Sequence, residues 1–180
     1  MMSLRVYLAN LGKYTDEGSL IGKYVKLPIK DEDLERVLQE IEIDDIKYGA
    51  YFIPDIETNV IGISKTINEH TNIKQLNKLA ELLESLNENE YEKLSSILEC
   101  EMYSNISDII TTIENLENWD LYYNVKTEKD LGYYFIEELS SIDIPDNIKP
   151  YFNFESYGHD LRIELCGTFT TFGYIVENPQ

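Results

Sequence analysis

The sequence predicts an α+β fold, because it contains segments with the spacing of amphipathic helices as well as segments with the alternation of strands. Apolar residues recur at positions i, i+3, i+4 and i+7 from Leu34 to Ile41, which is typical of a helix with one buried face. Residues Arg5 to Ala9 alternate as in a strand. Of the 180 residues, 43% are apolar, with 14 Tyr and 6 Phe, so a packed core is expected and a wholly disordered acidic chain is excluded.

The first third of the chain is expected to be a small α+β unit. Between Arg5 and Pro28 the pattern predicts two strands around a loop, with glycines supplying the turns. The helix around Leu34 carries acidic residues on the face opposite its apolar residues. A third strand is expected around Lys47 to Ile53, ending at a turn that begins with Pro54.

The middle of the chain is expected to be helical. The first helix contains Ile73 to Leu86 and begins near Thr71 or Asn72, either of which is a suitable N-cap residue. A short polar break separates it from a second helix around Tyr91 to Leu98. A third helix, around Ile106 to Ile113, opens near Ser104.

The last third returns to mixed structure with antiparallel strands. A strand is expected from Trp119 to Asn124, followed by a helix that Thr127 and Asp130 open in a capping-box-like arrangement. The inward face of this helix is predicted to carry Leu131, Tyr134, Phe135 and Leu139. After a short turn of helix between Pro145 and Pro150, a hairpin formed by residues 161–165 and 172–176 is expected to close the fold across Gly167.

The charge of the chain restricts its partners. There are 34 Asp and Glu against 15 Lys and Arg, a formal net charge of -19. A surplus of this size repels nucleic acid and anionic membranes and attracts basic surfaces, so direct binding to DNA is excluded as the expected function. The surplus is heaviest in residues 104–180, where 14 acids stand against 4 bases. Acidity by itself also fits a protein that is acidic only for solubility.

The expected location is the cytoplasm. The N-terminal residues resemble neither a secretory signal nor a membrane anchor, and no segment approaches the roughly 20 apolar residues of a spanning helix. Cys100 and Cys166 are far apart and have no second Cys or His at metal-ligand spacing, which fits free thiols in a reducing compartment. Both are interpreted as small buried hydrophobic residues.

The sequence predicts no enzyme, no cofactor and no metal. It contains no Gly-rich phosphate loop, no G-x-S-x-G elbow and no H-E-x-x-H pair. Residues 31–33 lack the spacing and the central Gly of a calcium loop, so they are interpreted as the negative first turn of a helix. His159 is interpreted as a structural or surface histidine. A pair of carboxylates of the kind that glycosidases use stays open as an alternative, because the sequence cannot select a pair among its 34 acids.

Acidic side chains are distributed along the whole chain, and their spacing suggests a mimic of DNA. Carboxylates one helical turn apart are separated by about 6 Å along the axis, whereas DNA phosphates advance about 3.4 Å per nucleotide on one strand. Several acidic helices and hairpins side by side therefore approximate a duplex at lower charge density. The residues predicted to form this acidic surface are Asp31, Glu32, Glu35, Glu81, Glu84, Glu88, Glu92, Asp108, Glu114, Glu117, Glu137, Glu138, Asp143, Asp146 and Glu155.

Four stretches of the sequence resemble one known family when they are taken together and in order. They are VYLANLGKY at residues 6–14, the helix at 73–83, DLGYYFIEE at 130–138 and YGHDL at 157–161. Together with the closing residues 167–174, they resemble the ArdA-type antirestriction proteins over essentially the whole chain. Two positions depart from the family pattern, namely His159, where the family commonly has Arg, and Leu165-Cys166, which replaces a more usual acidic-Gly pair.

The resemblance implies an elongated protomer of three subdomains, assigned here to residues 1–62 (mixed α/β), 63–103 (helical) and 104–180 (mixed α/β with antiparallel strands). It implies a homodimer formed through the C-terminal subdomain, giving a curved acidic rod that imitates bent B-form DNA. The implied partner is the methyltransferase core of type I restriction-modification enzymes, and the implied role is to protect incoming mobile DNA without catalysis. Candidate residues for the dimer interface are the aromatic residues Tyr133, Tyr134, Phe135, Tyr151 and Phe152.

Two alternatives remain at this point. The chain is a general acidic module for another basic protein, such as a histone-like or RNA polymerase surface, or it is a hydrolase with a carboxylate pair. The hydrolase requires a concave pocket that holds two acids with opposed pKa shifts. A mimic of DNA requires numerous exposed acids, each of which contributes little to the affinity for the partner.

Overall fold

The computed structural model describes residues 3–44, 48–60, 62–101 and 103–178, and over these residues it confirms the α+β fold. The helices are α1 Leu11–Glu17, α2 Asp31–Glu40, α3 Ile73–Ser85, α4 Glu88–Cys100, α5 Ile106–Glu114, α6 Glu128–Glu137 and α7 Phe154–Leu165. The strands are β1 Leu4–Asn10, β2 Gly22–Leu27, β3 Tyr51–Thr58, β4 Trp119–Tyr123, β5 Thr168–Phe169 and β6 Gly173–Glu177. Short 3₁₀ turns lie at Ile63–Lys65, Leu116–Asn118 and Lys149–Tyr151.

The first sheet has the strand order β2-β1-β3, with both pairings antiparallel. The predicted end of the third strand at Pro54 was wrong, because β3 continues to Thr58. Tyr7 pairs with Asp55 and Ala9 pairs with Phe52, so two residues of β3, including Pro54, lie opposite one residue of β1. A bulge of this kind accommodates a proline, which has no N–H for the ladder. The predicted start of this strand, at Lys47, lies outside the described residues.

The loop expected between the first two strands contains a helix, α1. Its N-cap is Asn10, whose side-chain oxygen accepts a hydrogen bond from the backbone N–H of Lys13 at 3.0 Å. The Asn10 side chain is fully buried and also donates to the carbonyl oxygens of Ile41, at 3.1 Å, and Glu42, at 2.8 Å. Asn10 and Gly18 are both typical cap residues, but no residue of α1 is buried, so the helix has no apolar periodicity that would have distinguished it from a loop.

Helices α3 and α5 supply most of the helical core beside the first sheet. Asn72 is the N-cap of α3, as expected, and accepts a hydrogen bond from the backbone N–H of Lys74 at 2.8 Å. Most of the predicted apolar faces are confirmed, since the following residues are all buried: Ile73, Leu76, Leu79 and Leu83 on α3, and Ile106, Ile109, Ile110 and Ile113 on α5. Leu86, which was also predicted for the α3 face, follows the end of α3 and is half-buried. These two helices pack against each other.

The second sheet has the strand order β4-β6-β5 and packs with α4, α6 and α7. The predicted strand at 161–165 was wrong, because this segment is the end of α7, and β6 pairs with β4 and β5 instead. Asn153 caps α7 by accepting a hydrogen bond from Ser156 N at 3.1 Å. Leu139 was also predicted wrongly, since α6 ends at Glu137 and the Leu139 side chain is 48% exposed.

By their internal contacts the elements form two compact units. The first consists of Met1–Asn87 with Met102–Glu114, and the second of Glu88–Glu101 with Asn115–Gln180. Helix α4 therefore packs in the second unit, although it lies between α3 and α5 in the chain. The division into three subdomains at 62 and 103 stays a prediction. Among the described residues no helix is both long and apolar enough to cross a membrane.

Candidate functional site

The acidic residues of α2 lie where the helix dipole favours them. Asp31, Glu32 and Asp33 occupy the first turn, as expected, and the N-cap position, Lys30, makes no side-chain capping bond. Carboxylates in a first turn interact favourably with the unpaired backbone N–H groups there. Asp31 and Glu32 are exposed, so this interaction leaves their outer sides open to a partner.

The acidic surface, defined as the fifteen residues named above, lies almost entirely on the outside of the two units. Thirteen of its residues are exposed, and Glu92 and Glu137 are half-buried. The residues come from helices α2 to α6, from the 3₁₀ turn after α5, from the segment between α6 and α7, and from the first turn of α7. Sequence reasoning could place them outside because charged side chains are almost never fully buried unless they are paired.

A few residues of the acidic surface are neutralised by lysines. Glu114 forms a salt bridge with Lys78 at 2.6 Å. Glu137 forms one with Lys149 at 2.9 Å, and Asp146 contacts the same lysine at 3.4 Å. The hydrogen bond to Glu137 raises the pKa of Lys149, which favours the charged form of this lysine in its salt bridges. Glu114 and Glu137 are therefore less available to a partner than the other members.

Most of the acidic surface has no such partner. In the part of the chain that the structure describes, the following carboxylates form no salt bridge and no side-chain hydrogen bond: Asp31, Glu32, Glu35, Glu84, Glu88, Glu92, Glu117, Glu138, Asp143 and Glu155. No lysine or arginine of the described residues neutralises them. These charges are therefore available to a basic surface, although they are less dense than the phosphates of DNA.

Within single helices some carboxylates lie about one turn apart. Glu81 and Glu84 lie on α3, and Glu88 and Glu92 lie on α4. Side chains three or four residues apart on a helix are neighbours, with about 5–6 Å between their Cβ atoms. This spacing is wider than that of DNA phosphates, so these pairs present charge at a lower density than a DNA strand does.

One cluster of charged and polar side chains, in which a single carboxylate contacts a histidine and an arginine, was not predicted from the sequence. The Oε1 atom of Glu128 lies 2.9 Å from His159 Nδ1 and 2.9 Å from Arg162 Nε. The hydrogen bond with His159, with a further contribution from Arg162, holds the pKa of Glu128 below its ordinary value of 4.5. His159 is thus a surface histidine with a structural contact between α6 and α7. No sequence signal predicted it, because the partners are 31 and 34 positions apart.

The candidate dimer residues fall into two groups. Tyr133 is 53% exposed and Tyr151 is 86% exposed, so both present apolar surface to solvent. Tyr134 and Phe135 pack against the core of the second unit, around Leu131 and Tyr174, and are only partly exposed. Phe152 is half-buried beside Phe154, with 5.1 Å between the ring centroids.

The cysteines and the other potential ligands form no metal site in the described residues. No group of three or more His, Cys, Asp or Glu side chains there could hold an ion. Cys100 is half-buried, and burial raises the pKa of its thiol. Cys166 is exposed at the end of α7, so its interpretation as a buried hydrophobic residue was wrong.

These features define a class of protein, namely a small acidic α+β protein whose candidate functional surface is a set of exposed and mostly unpaired carboxylates. Comparison with known families is consistent with this class. The family profile described as "Antirestriction protein (ArdA)" matches residues 6–176, and the chain belongs to this family. A search of curated proteins gave no match. The family is one of antirestriction proteins rather than enzymes, and antirestriction is the function that membership implies.

Proposed function

We propose that the protein inhibits type I restriction-modification enzymes by placing its acidic surface in the groove where the enzyme binds DNA. The observation that carries the proposal is the set of exposed carboxylates without a salt bridge in the described residues, which occurs in both compact units. The methyltransferase core is the expected binding partner, because it holds the basic DNA groove. The inhibitor itself binds no nucleic acid, since its net charge of -19 repels phosphate.

The physical basis is competition for the same cations. Proteins that bind DNA gain a large part of their affinity when lysines and arginines neutralise phosphates and release counterions. A folded acidic surface engages those cations but offers no phosphodiester to cut and no base to methylate. The result is a complex that blocks the groove without any reaction.

The family supports further parts of the proposal. An elongated protomer with three subdomains, which dimerises through residues 104–180, gives a curved rod long enough for a two-sided groove. Two copies of the 180-residue chain, related by a two-fold axis, reach this length, so the gene needs to encode only one chain. Such an inhibitor acts in the cytoplasm, where it protects mobile DNA as it enters a cell.

The test is displacement of DNA. A type I enzyme is bound to a fluorescently labelled duplex that contains its site, and the purified protein is titrated in while anisotropy is followed. We expect the duplex to be released intact. A duplex that stays bound at every concentration, or that is cut or modified by the protein, contradicts the proposal.

The matched control separates charge from fold. One variant carries Glu84→Gln, Glu88→Gln, Glu117→Gln, Glu138→Gln and Glu155→Gln, whereas the other carries Asp at the same five positions and so keeps the charge. We expect the amide variant to lose displacement and the Asp variant to retain it. Equal loss in both indicates a role for side-chain shape rather than for charge.

The second candidate function, a general acidic module, is tested in the same assay. A histone-like DNA-binding protein replaces the restriction enzyme at matched DNA occupancy. The proposal requires weak displacement from this protein, and equal displacement from both favours the general module.

A further inference from the structure

Helix α2 has an apolar face that the fold leaves partly uncovered. Leu34, Val37 and Leu38 are spaced to form one stripe of the helix and are half-buried, while Ile41, which continues the stripe just after the helix ends, is buried. None of the residues of α2 is buried, although the equivalent residues of α3 and α5 are buried throughout. An amphipathic helix in a small protein normally buries its apolar stripe in the core, so this stripe has surface available for a partner.

A cavity of about 210 Å³ lies beside this stripe, between the start of α2 and one side of α3. It is lined by Ile29, Asp31, Leu34, Ile73, Lys74, Asn77, Lys78 and Glu81. The backbone N–H of Ile29 donates to Asn77 Oδ1 at 2.6 Å, which holds the two walls together. Since one water occupies about 30 Å³ of liquid, the cavity has room for a side chain from a partner.

Charge around the cavity favours a basic partner. Asp31 and Glu35 have no salt bridge within the described residues, and the same holds for Glu32. On the opposite wall Lys78 is already neutralised by Glu114 at 2.6 Å. Lys74 is the one lining cation without a salt bridge in that part of the chain, so the carboxylates outnumber the free cations.

We infer that this α2–α3 groove, formed by the stripe and the cavity, docks a basic amphipathic segment of the target protein. The inference rests on the proposed function and names the chemistry of the partner. Lysine and arginine combine a charged end with an aliphatic stem, and the stem covers apolar surface while the charge reaches a carboxylate. An apolar side chain from the same segment enters the cavity beside Ile73.

The groove provides affinity that DNA cannot provide. Phosphates bind the cations of the enzyme through charge, and this attraction weakens as salt is added. Burial of the stripe contributes a hydrophobic term that salt does not screen. The groove therefore helps the inhibitor to remain bound under conditions that release a duplex.

The test uses two synthetic peptides of equal charge. One is an amphipathic peptide of Lys and Leu, and the other replaces every Leu with Gly. The ¹⁵N-labelled full-length protein is titrated with each at high salt, and amide shifts are followed by NMR. We expect the amphipathic peptide alone to shift Leu34, Ile73 and Asn77. Equal shifts with both peptides, or shifts that avoid these residues, overturn the inference.

A variant pair provides the second readout. In Leu34→Ser with Leu38→Ser we expect the amphipathic peptide to bind at least about tenfold more weakly, as loss of buried leucine surface implies. Leu139→Ser, at an exposed leucine of the second unit, should leave peptide affinity unchanged. A wild-type protein that displaces DNA from a type I enzyme but ignores the amphipathic peptide overturns this inference and leaves the proposed function intact.

Discussion

Gly132 of α6 and Gly158 of α7 lie against each other, since a Cβ atom added to Gly158 would come within 2.8 Å of the backbone nitrogen of Gly132. The same added atom would lie 1.7 Å from the carbonyl oxygen of Glu128, and a Cβ on Gly132 would lie 2.0 Å from that of Phe154. Backbone cannot move aside as a flexible side chain does. The two helices therefore approach each other as closely as they do only because both positions are glycine.

Replacing either glycine with alanine should destabilise the protein. We expect Gly158→Ala to lower the free energy of unfolding by about 1–3 kcal/mol or more, which is the cost of overpacking a rigid contact. Denaturation in urea measures this change. Gly49→Ala is the control, because an added Cβ there meets nothing closer than 3.4 Å. An unchanged midpoint for Gly158→Ala shows that the helices can separate at little cost.

Inhibition should be spread over many carboxylates. Each exposed charge contributes a small, screened amount, so Glu84→Gln, Glu88→Gln or Glu92→Gln alone should change the half-inhibitory concentration by less than about fivefold, equivalent to roughly 1 kcal/mol. The measurement is displacement of labelled DNA from a type I enzyme. A single amide substitution that eliminates inhibition in a folded protein would favour a pocket-like site.

The two carboxylates that form salt bridges with Lys149 allow a test of their pairing as well as of inhibition. Glu137→Gln and Asp146→Asn should also leave inhibition nearly intact. Glu137→Gln should in addition lower the pKa of Lys149, because a neutral amide replaces the charged carboxylate whose hydrogen bond raises it. NMR titration of the lysine ammonium group detects this change, and a pKa that does not move contradicts the assignment of its cause.

The protein should self-associate through its C-terminal part. Tyr133→Ser with Tyr151→Ser removes two exposed rings, so we expect the pair to shift a dimer toward monomer while the fold is retained. Light scattering over a range of concentrations measures the mass. Tyr14→Ser, at a tyrosine 49% exposed in the first unit, is the control. A wild-type monomer at high concentration refutes the prediction.

Salt should shift competition in favour of the inhibitor. Screening acts over a Debye length of about 8 Å at physiological ionic strength, so the complex should weaken as salt is added. The binding of DNA to the enzyme should weaken more than the binding of the inhibitor, because phosphates are denser than the carboxylates and condense more counterions. Titrations of the inhibitor against labelled DNA at several salt concentrations give the two slopes. A steeper slope for the inhibitor than for DNA contradicts the charge argument.

Acid should remove the contribution of Glu128 to stability. Its pKa is lower in the folded protein than the ordinary value of 4.5, so the stabilisation is fully present above that value and is lost as the pH falls through the folded pKa. The difference in free energy of unfolding between wild type and Glu128→Gln should shrink over that range. Glu84→Gln serves as the control, and a difference for Glu128→Gln that stays constant with pH excludes the effect.

The sequence predicted those elements whose signals are local. Periodic apolar residues identified α2 to α5, and the Thr127 cap identified α6, where its side chain accepts a hydrogen bond from Asp130 N at 3.1 Å. Helix α7 was missed because its apolar positions are few and its packing depends on Gly158, which looks like a turn residue in a linear sequence. The bulge at Pro54 was missed because it depends on the register with β1.

For the candidate site, composition and spacing predicted which side chains would be exposed, but not which would be paired. The salt bridge between Glu114 and Lys78 joins residues that are distant in the chain, and so does the cluster around Glu128. Pairing of this kind is set by tertiary packing, which no window of the sequence contains. The incomplete burial of Leu34, Val37 and Leu38 on α2 was not predicted for the same reason, because their periodicity is that of a fully buried face.

The placement of α4 has a consequence for inheritance. Its residues lie between α3 and α5 in the gene, yet its apolar side chains Leu94, Ile97 and Leu98 are buried in the unit that contains β4 and β6. Neither unit is therefore encoded by an uninterrupted stretch of DNA. A single crossover between the codons of α4 and those of β4 in two related genes would join an α4 from one parent to a sheet from the other, so such recombinants should survive only where those packing surfaces match.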